Sequence, residues 1–204
     1  MDYDIIITGA GPGGIFALYE LVNLDKNLRI AVFEAGHSLE KRKCPIGNGK
    51  VTSCIHCKSC SIMSGFGGAG AFSDGKYNIT NQFGGTLYEY IGKEKALELM
   101  DYVDKINLGF GGKGTKLYST ANTSIKKLCI QNGLHLLDAS VRHLGTDINY
   151  IVLKNIYNLL KDKADFYFDT PVERVIYNDG KYIVKTASGS YHCRKCIISA
   201  GRSG

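Results

Sequence analysis

A glycine pattern narrows the fold of this chain more than any other feature: G-x-G-x-x-G at Gly9, Gly11 and Gly14, set between a strand-like run and a helix-like one. Before it, Tyr3–Thr8 is short, apolar and rich in β-branched residues, as a buried parallel strand requires. After it, Ile15, Leu18, Tyr19 and Val22 recur at helical spacing, and Leu28–Phe33 forms a second apolar run that ends at Glu34. In such a strand–turn–helix–strand unit each glycine has its own task. Gly9 allows the tight turn, Gly11 presents no side chain to a pyrophosphate, and Gly14 lets helix and strand pack closely. The amides and dipole at the helix start then favour phosphate. Glu34 is expected to accept hydrogen bonds from an adenosine ribose, and its charge would repel a 2′-phosphate, which disfavours NADP at this turn. A glycine turn in an ordinary α/β protein is the plainer alternative, but the whole context favours a dinucleotide site.

Composition sets the outer bounds. With 204 residues, 44% of them hydrophobic, the chain can bury one compact core. Its 25 glycines and 3 prolines do not resemble a disordered linker; they suit a folded backbone that comes close to something. The net charge of +6 is spread among acids, so nucleic acid is a weak expectation as partner. No leader pattern precedes the first strand and no apolar run reaches a membrane span, so a cytoplasmic chain away from membranes is expected. The expected partner is a small-molecule substrate or electron donor.

Residues 36–82 show no periodicity and many Gly, Cys and Ser residues, which reads as a segment wrapped around a ligand. From about 83 to 165 helical spacing returns, at 92–107, 124–132 and 148–161, and predicts an inserted helical region. The end of the chain is β-rich. Phe166–Phe168, Val172–Tyr177, Tyr182–Thr186 and Tyr191–Cys193 alternate, with Asp179-Gly180 and Ser188-Gly189 as hairpin turns, and Cys196–Ala200 reads as a final buried strand. The predicted class is α/β: a Rossmann-like parallel sheet, an antiparallel β-meander and an inserted helical region.

Two further motifs could carry chemistry. In Gly65–Lys76 a run of small residues would let backbone amides lie against a flat or anionic ligand, anchored by Phe66 and Phe72. Gly67, Gly68, Ser73 and Asp74 are its candidate contacts to a pyrophosphate or ring. The second motif is Cys44 with Cys54-x-x-Cys57-x-x-Cys60, whose spacing could hold zinc or an iron–sulfur cluster, act as a dithiol, or be a set of plain thiols. His56 is the one histidine placed to add a ligand. Cys193-x-x-Cys196 is read as spanning a turn between strands. Gly111–Lys116 fails the phosphate-loop spacing and is set aside.

Asp4–Gly14 resembles the opening of FAD proteins of the two-dinucleotide-binding-domain, glutathione-reductase-like superfamily. The meander that closes in Cys196–Gly201 resembles that fold's later strand. More narrowly, Lys43-Cys44-Pro45, the cysteine run, Gly67–Lys76 and Ala200–Gly204 make the chain similar to a poorly characterised bacterial family of FAD-dependent dehydrogenases. The resemblance implies an oxidoreductase with bound FAD, and NAD(P)H as an electron donor. It implies that Gly9, Gly11, Pro12, Gly13 and Gly14 hold the ADP half together with Glu34 and Ala35. Ala200 and Gly201 would form the turn beside the cofactor. Members of that family run well beyond residue 204, which implies a truncated chain, and where they often carry Ala-Pro-Gly this sequence has Ser199-Ala200-Gly201. The alternatives to a flavoenzyme are a zinc or iron–sulfur module built on the four cysteines, and an RNA-modifying flavoprotein.

Overall fold

The computed structural model describes residues 2–121 and 123–203; Met1, Asn122 and Gly204, the last residue of the terminal motif, lie outside it. The chain divides into two compact units, residues 1–72 with 156–204, and residues 73–155.

The first unit is built on a six-stranded sheet. Strand β1 (Asp2–Thr8) leads into helix α1 (Pro12–Leu24) and returns as β2 (Ile30–Phe33). All four residues of β2 are buried, the signature of a strand covered on both faces. β1 pairs in parallel with β2 on one side and with β9 (Gly189–Ile198) on the other, and β6 (Asp165–Tyr167) pairs in parallel with β2. β7 (Val172–Asn178) and β8 (Lys181–Thr186) complete the order β6-β2-β1-β9-β8-β7 as an antiparallel extension. Asp179 and Gly180, both at positive φ, make the tight turn between them that the Asp-Gly pair predicts.

One strand differs from its prediction. Cys193 and Cys196 do not flank a turn; both lie inside β9, which runs unbroken for 10 residues. The exposed pair Arg194-Lys195 interrupts the apolar alternation without interrupting the strand, because their side chains reach solvent and Arg194 pairs with Asp4 at 2.9 Å. Both cysteines pack in the core cluster with Tyr3, Ile6 and Val184. Burial raises both thiols above their ordinary value, Cys196 to about 11.

The second unit is not purely helical. It holds α2 (Leu87–Ile91), α3 (Lys93–Asn107), α4 (Ser124–Gln131) and most of α5 (Gly145–Leu160), and also a three-stranded antiparallel sheet. The strands are β3 (Lys76–Ile79), β4 (Leu117–Ser119) and β5 (Ser140–His143), in the order β3-β5-β4. These strands have 3 or 4 residues and mostly exposed or half-exposed positions, too short and too polar to show a period in sequence. A buried ion pair fixes the unit, with Arg142 donating to both Asp104 oxygens at 2.7 and 2.9 Å. Among the described residues, no helix is long and apolar enough to cross a membrane.

Candidate functional site

The carboxyl ends of β1, β2 and β9 meet around the glycine turn. Gly9 N donates to Phe33 O at 2.7 Å, Ser199 N donates to Thr8 O at 2.8 Å, and Ser199 Oγ donates to Gly9 O at 3.2 Å. A loop from further along the chain closes the fourth side, where Gly67 N donates to Ala10 O at 2.8 Å. The start of the turn, at Gly9 and Ala10, is therefore pinned by partners from β2, from Ser199 and from this loop.

The three pattern glycines separate into two kinds in this setting. A Cβ on Gly9 would fall 2.4 Å from Ser199 O, and one on Gly14 would fall 1.9 Å from Gly9 O. Both glycines are thus demanded by the protein's own packing. Gly11 is different: its φ is −75°, open to any residue, and a Cβ there would have only Gly68 Cα nearby, at 3.9 Å. Neither strain nor packing within the chain calls for glycine at position 11. Across from it, Gly68 has φ +59° and packs close enough that a Cβ would lie 3.1 Å from Gly11 Cα. The two glycine motifs of the sequence face each other here.

Helix α1 opens with Gly11 as its cap residue and Pro12 in its first turn, with no side-chain cap and no acidic residue in that turn. Proline has no amide to leave unmet at this position. The remaining amides at the helix start, those of Gly13 and Gly14, carry the positive end of the dipole with no protein side chain assigned to them. Pro12 and Gly13 are exposed and Gly14 is buried.

Glu34 is placed differently from the expectation. It ends β2 as predicted but is only 6% exposed. Its carboxylate accepts three backbone hydrogen bonds, from Ala10 N at 2.7 Å, Gly36 N at 2.8 Å and Gly65 N at 2.9 Å. The expected open acceptor for sugar hydroxyls is here an anchor joining the glycine turn to the Gly65 loop. The cause is the close approach of that loop: a Cβ on Gly36 would stand 2.4 Å from Gly65 N. Ala35 is exposed beside it.

Arg42, which the sequence reading did not single out, holds the same loop from the other side. Buried at 4% exposure, its guanidinium donates to Ser61 O at 2.9 Å, Ile62 O at 2.7 Å and Phe66 O at 2.7 Å, and lies 4.8 Å from the Phe72 ring centre. Burial lowers its pKa to about 10, opposed by the nearby Glu34 carboxylate and the Cys60 thiol. In sequence it stands between Lys41 and Lys43, two residues after Glu40, and nothing there sets it apart as a buried anchor. Phe66 is fully buried against Tyr157 and Phe166, the anchor the sequence suggested.

The remaining candidates are dispersed. Ala200 and Gly201 are exposed at the end of β9, with Gly201 opening a short 3-10 turn at φ +76°. Ser73 and Asp74 belong to the second unit, where Ser73 Oγ accepts from Gly75 N at 3.3 Å and Asp74 pairs with Lys76 at 2.8 Å. Cys54 and Cys57 are exposed and Cys44 and Cys60 half-buried. They line a common cavity of about 230 Å³, yet among the described residues no three His, Cys, Asp or Glu side chains converge as a single metal ion needs. The loop runs through exposed bends, with His56 at φ +50°. A larger cavity of about 400 Å³ lies at the opposite, amino end of the strands, beside Asp2, Arg29, Lys161 and Asp165. Its mixed charges and its distance along β1 from the glycine turn separate it from this corner.

No family model matches the chain. It is similar to an uncharacterised protein of Clostridium beijerinckii, 26% identical over 200 residues, which cover 97% of this chain and 31% of that protein. Among solved structures it is similar to NikD, an amino acid oxidase of nikkomycin biosynthesis (TM-score 0.52, 11% identity, 98% of this chain and 51% of that one). It is similar to glycine oxidase from Geobacillus kaustophilus (TM-score 0.52, 14% identity, 98% and 55%) and to p-nitrophenol 4-monooxygenase from Pseudomonas putida (TM-score 0.50, 11% identity, 100% and 42%). The chain thus spans under a third of its curated relative and about half of these structures. The likeness establishes the fold, an α/β architecture with a Rossmann-like parallel sheet.

Proposed function

We propose that this chain is the FAD-binding portion of a flavin-dependent oxidoreductase, with the diphosphate of the dinucleotide seated on the glycine turn. Gly11 carries this reading. It is a glycine that the protein's own conformation and packing do not require, placed at an uncapped helix start and facing a second glycine, Gly68. A ligand that lies against the main chain gives that pair of residues a purpose. The amides of Gly13 and Gly14 would bind phosphate oxygens, and Gly67 and Gly68 would leave the far wall free of side chains.

FAD is preferred among adenine dinucleotides for two reasons. The structures that share the fold are named as oxidases and a monooxygenase, reaction types that side chains alone do not perform. The chain's motifs also resemble those of FAD-dependent dehydrogenases. When bound, FAD takes two electrons from a small-molecule donor, for which NAD(P)H is a candidate. The chain's own residues bind and orient the cofactor. Glu34 fixes the turn through Ala10 N and the facing loop through Gly65 N, while Arg42 fixes that loop through its carbonyls. These two buried charges act by positioning the cradle.

The direct test is the absorbance spectrum of the purified chain, with bound nucleotide extracted and identified. A flavin spectrum and one FAD per chain are the expected result. A chain that carries no flavin and takes up none when FAD is supplied contradicts the proposal.

A further inference from the structure

The cysteine segment presents features that the flavin reading leaves unused. Cys54, Cys57 and Cys60 repeat at every third position, and Cys44, ten positions ahead of Cys54, is followed by Pro45. A C-x-x-C-x-x-C run with a more distant Cys-Pro is the ligand set of a four-iron cluster, here with the Cys-Pro ahead of the run instead of behind it. Zinc ribbons instead use two separated C-x-x-C pairs, and this segment has no second pair.

The structure adds two observations and the charge of the segment a third. All four cysteines line one cavity of about 230 Å³. A four-iron cluster takes one thiolate at each of four corners, so four cysteines set around one cavity suit it. The rest of the wall is largely apolar, with Pro45, Ile46, Val51 and Ile55, and hydrophobic surroundings are one of the means by which a protein tunes such clusters. The charge also fits. From 41 to 73 the chain carries Lys41, Arg42, Lys43, Lys50 and Lys58 and not one Asp or Glu. A cluster held by four thiolates is a net anion, and a stretch with only cationic side chains favours it.

From this juxtaposition we infer that Cys44, Cys54, Cys57 and Cys60 bind a [4Fe–4S] cluster in the loop between β2 and Gly65. The inference does not rest on FAD, since the cavity is formed by residues 44–61 alone.

The experiment uses the whole chain, reconstituted without oxygen with ferrous iron and sulfide and then desalted. The expected content is about four irons and four acid-labile sulfides per chain, the composition of the cluster. The visible absorbance should bleach on reduction with dithionite. Cys57→Ser and Cys60→Ser should each lower iron at least severalfold, whereas Cys129→Ser, which changes a helical cysteine outside the segment, should keep it. Should the serine variants fold poorly, the wild-type chain still decides: Cys54 and Cys57 should react with a thiol reagent before reconstitution and be protected after it. Stoichiometric zinc in the cysteine segment, iron without sulfide, or four thiols that stay reactive after reconstitution would each overturn the inference. FAD is assayed in the same samples, so loss of flavin with the cluster kept, or the reverse, tells the two proposals apart.

Discussion

The glycine turn and the cysteine segment both belong to the first unit, and they are built in opposite ways. The turn is gripped by main-chain hydrogen bonds from β2, from β9 and from the Gly65 loop, and two of its glycines touch backbone where any side chain would collide. The cysteine segment is exposed over most of residues 46–58, and of the residues lining its cavity only Ser61 is buried. Its own short turns and the buried guanidinium of Arg42 hold it at its ends. The difference teaches where each obtains its order. The turn is shaped by the sheet, whereas the segment has little core of its own and, under the cluster proposal, would gain order from what it binds, as small metal-bound segments do.

The comparison can be broken most severely at Gly14. Its Cβ would lie 1.9 Å from a carbonyl oxygen that cannot move without pulling on β1, so Gly14→Ala should cost more than about 3 kcal/mol or abolish folding. Urea unfolding of the two chains checks this, and an unchanged midpoint would mean the turn is looser than described.

Arg42 is where the two regions meet. Arg42→Ala removes the donor from three carbonyls near a buried site, with an expected loss of about 3 kcal/mol. Because the same bonds define the Gly65 loop, FAD retention should fall with it. Arg42→Lys should recover only part, since one ammonium cannot reproduce the planar fork. A mutant that loses stability while holding FAD normally would separate the loop from the cradle.

Thiol reactivity sharpens the contrast. Cys196, with its pKa raised by burial to about 11, should carry roughly a hundredfold less thiolate at neutral pH than a thiol at the ordinary 9.0. Cys54 and Cys57 are exposed, so in the metal-free native chain mass spectrometry after brief alkylation should find label there and little on Cys193 or Cys196. Equal labelling would show that β9 opens readily.

The smallest effect concerns the far end of the sheet. The Arg29 backbone amide, with help from Arg194 and the Arg29 side chain, holds the Asp4 carboxyl below its ordinary 3.8. A lowered native pKa stabilises the fold at pH above the unfolded value and loses that contribution as pH falls through the native one. Asp4→Asn should therefore be slightly less stable than wild type at about pH 6, with the difference shrinking as pH falls through the carboxylate range; urea unfolding of both chains at several pH values checks this.

Much of this was legible in the sequence because periodicity and glycine placement report local geometry. The first strand–turn–helix–strand unit, the Asp179-Gly180 hairpin and the buried Phe66 follow from patterns within a few residues. Glu34 shows the limit. Its position at the end of β2 could be read, but not its partners, because Gly65 lies 31 residues away and a carboxylate's bonds depend on which loop folds over it. Arg42 was silent for the same reason, since its acceptors are backbone carbonyls that leave no trace in residue type. β3, β4 and β5 are too short and exposed for alternation to show. Arg194-Lys195 hid the continuity of β9 because an exposed polar pair in a strand reads like a turn.

The account stands most directly on Gly11. Gly11→Val should be compared with the unaltered chain in two measurements on the same preparation, the FAD content and the urea midpoint. With only Gly68 Cα near a Cβ at that position and an ordinary φ, the unfolding free energy obtained from that midpoint should change by about 1 kcal/mol at most, while FAD retention falls at least tenfold. A valine variant that holds as much FAD as the wild type would contradict the account.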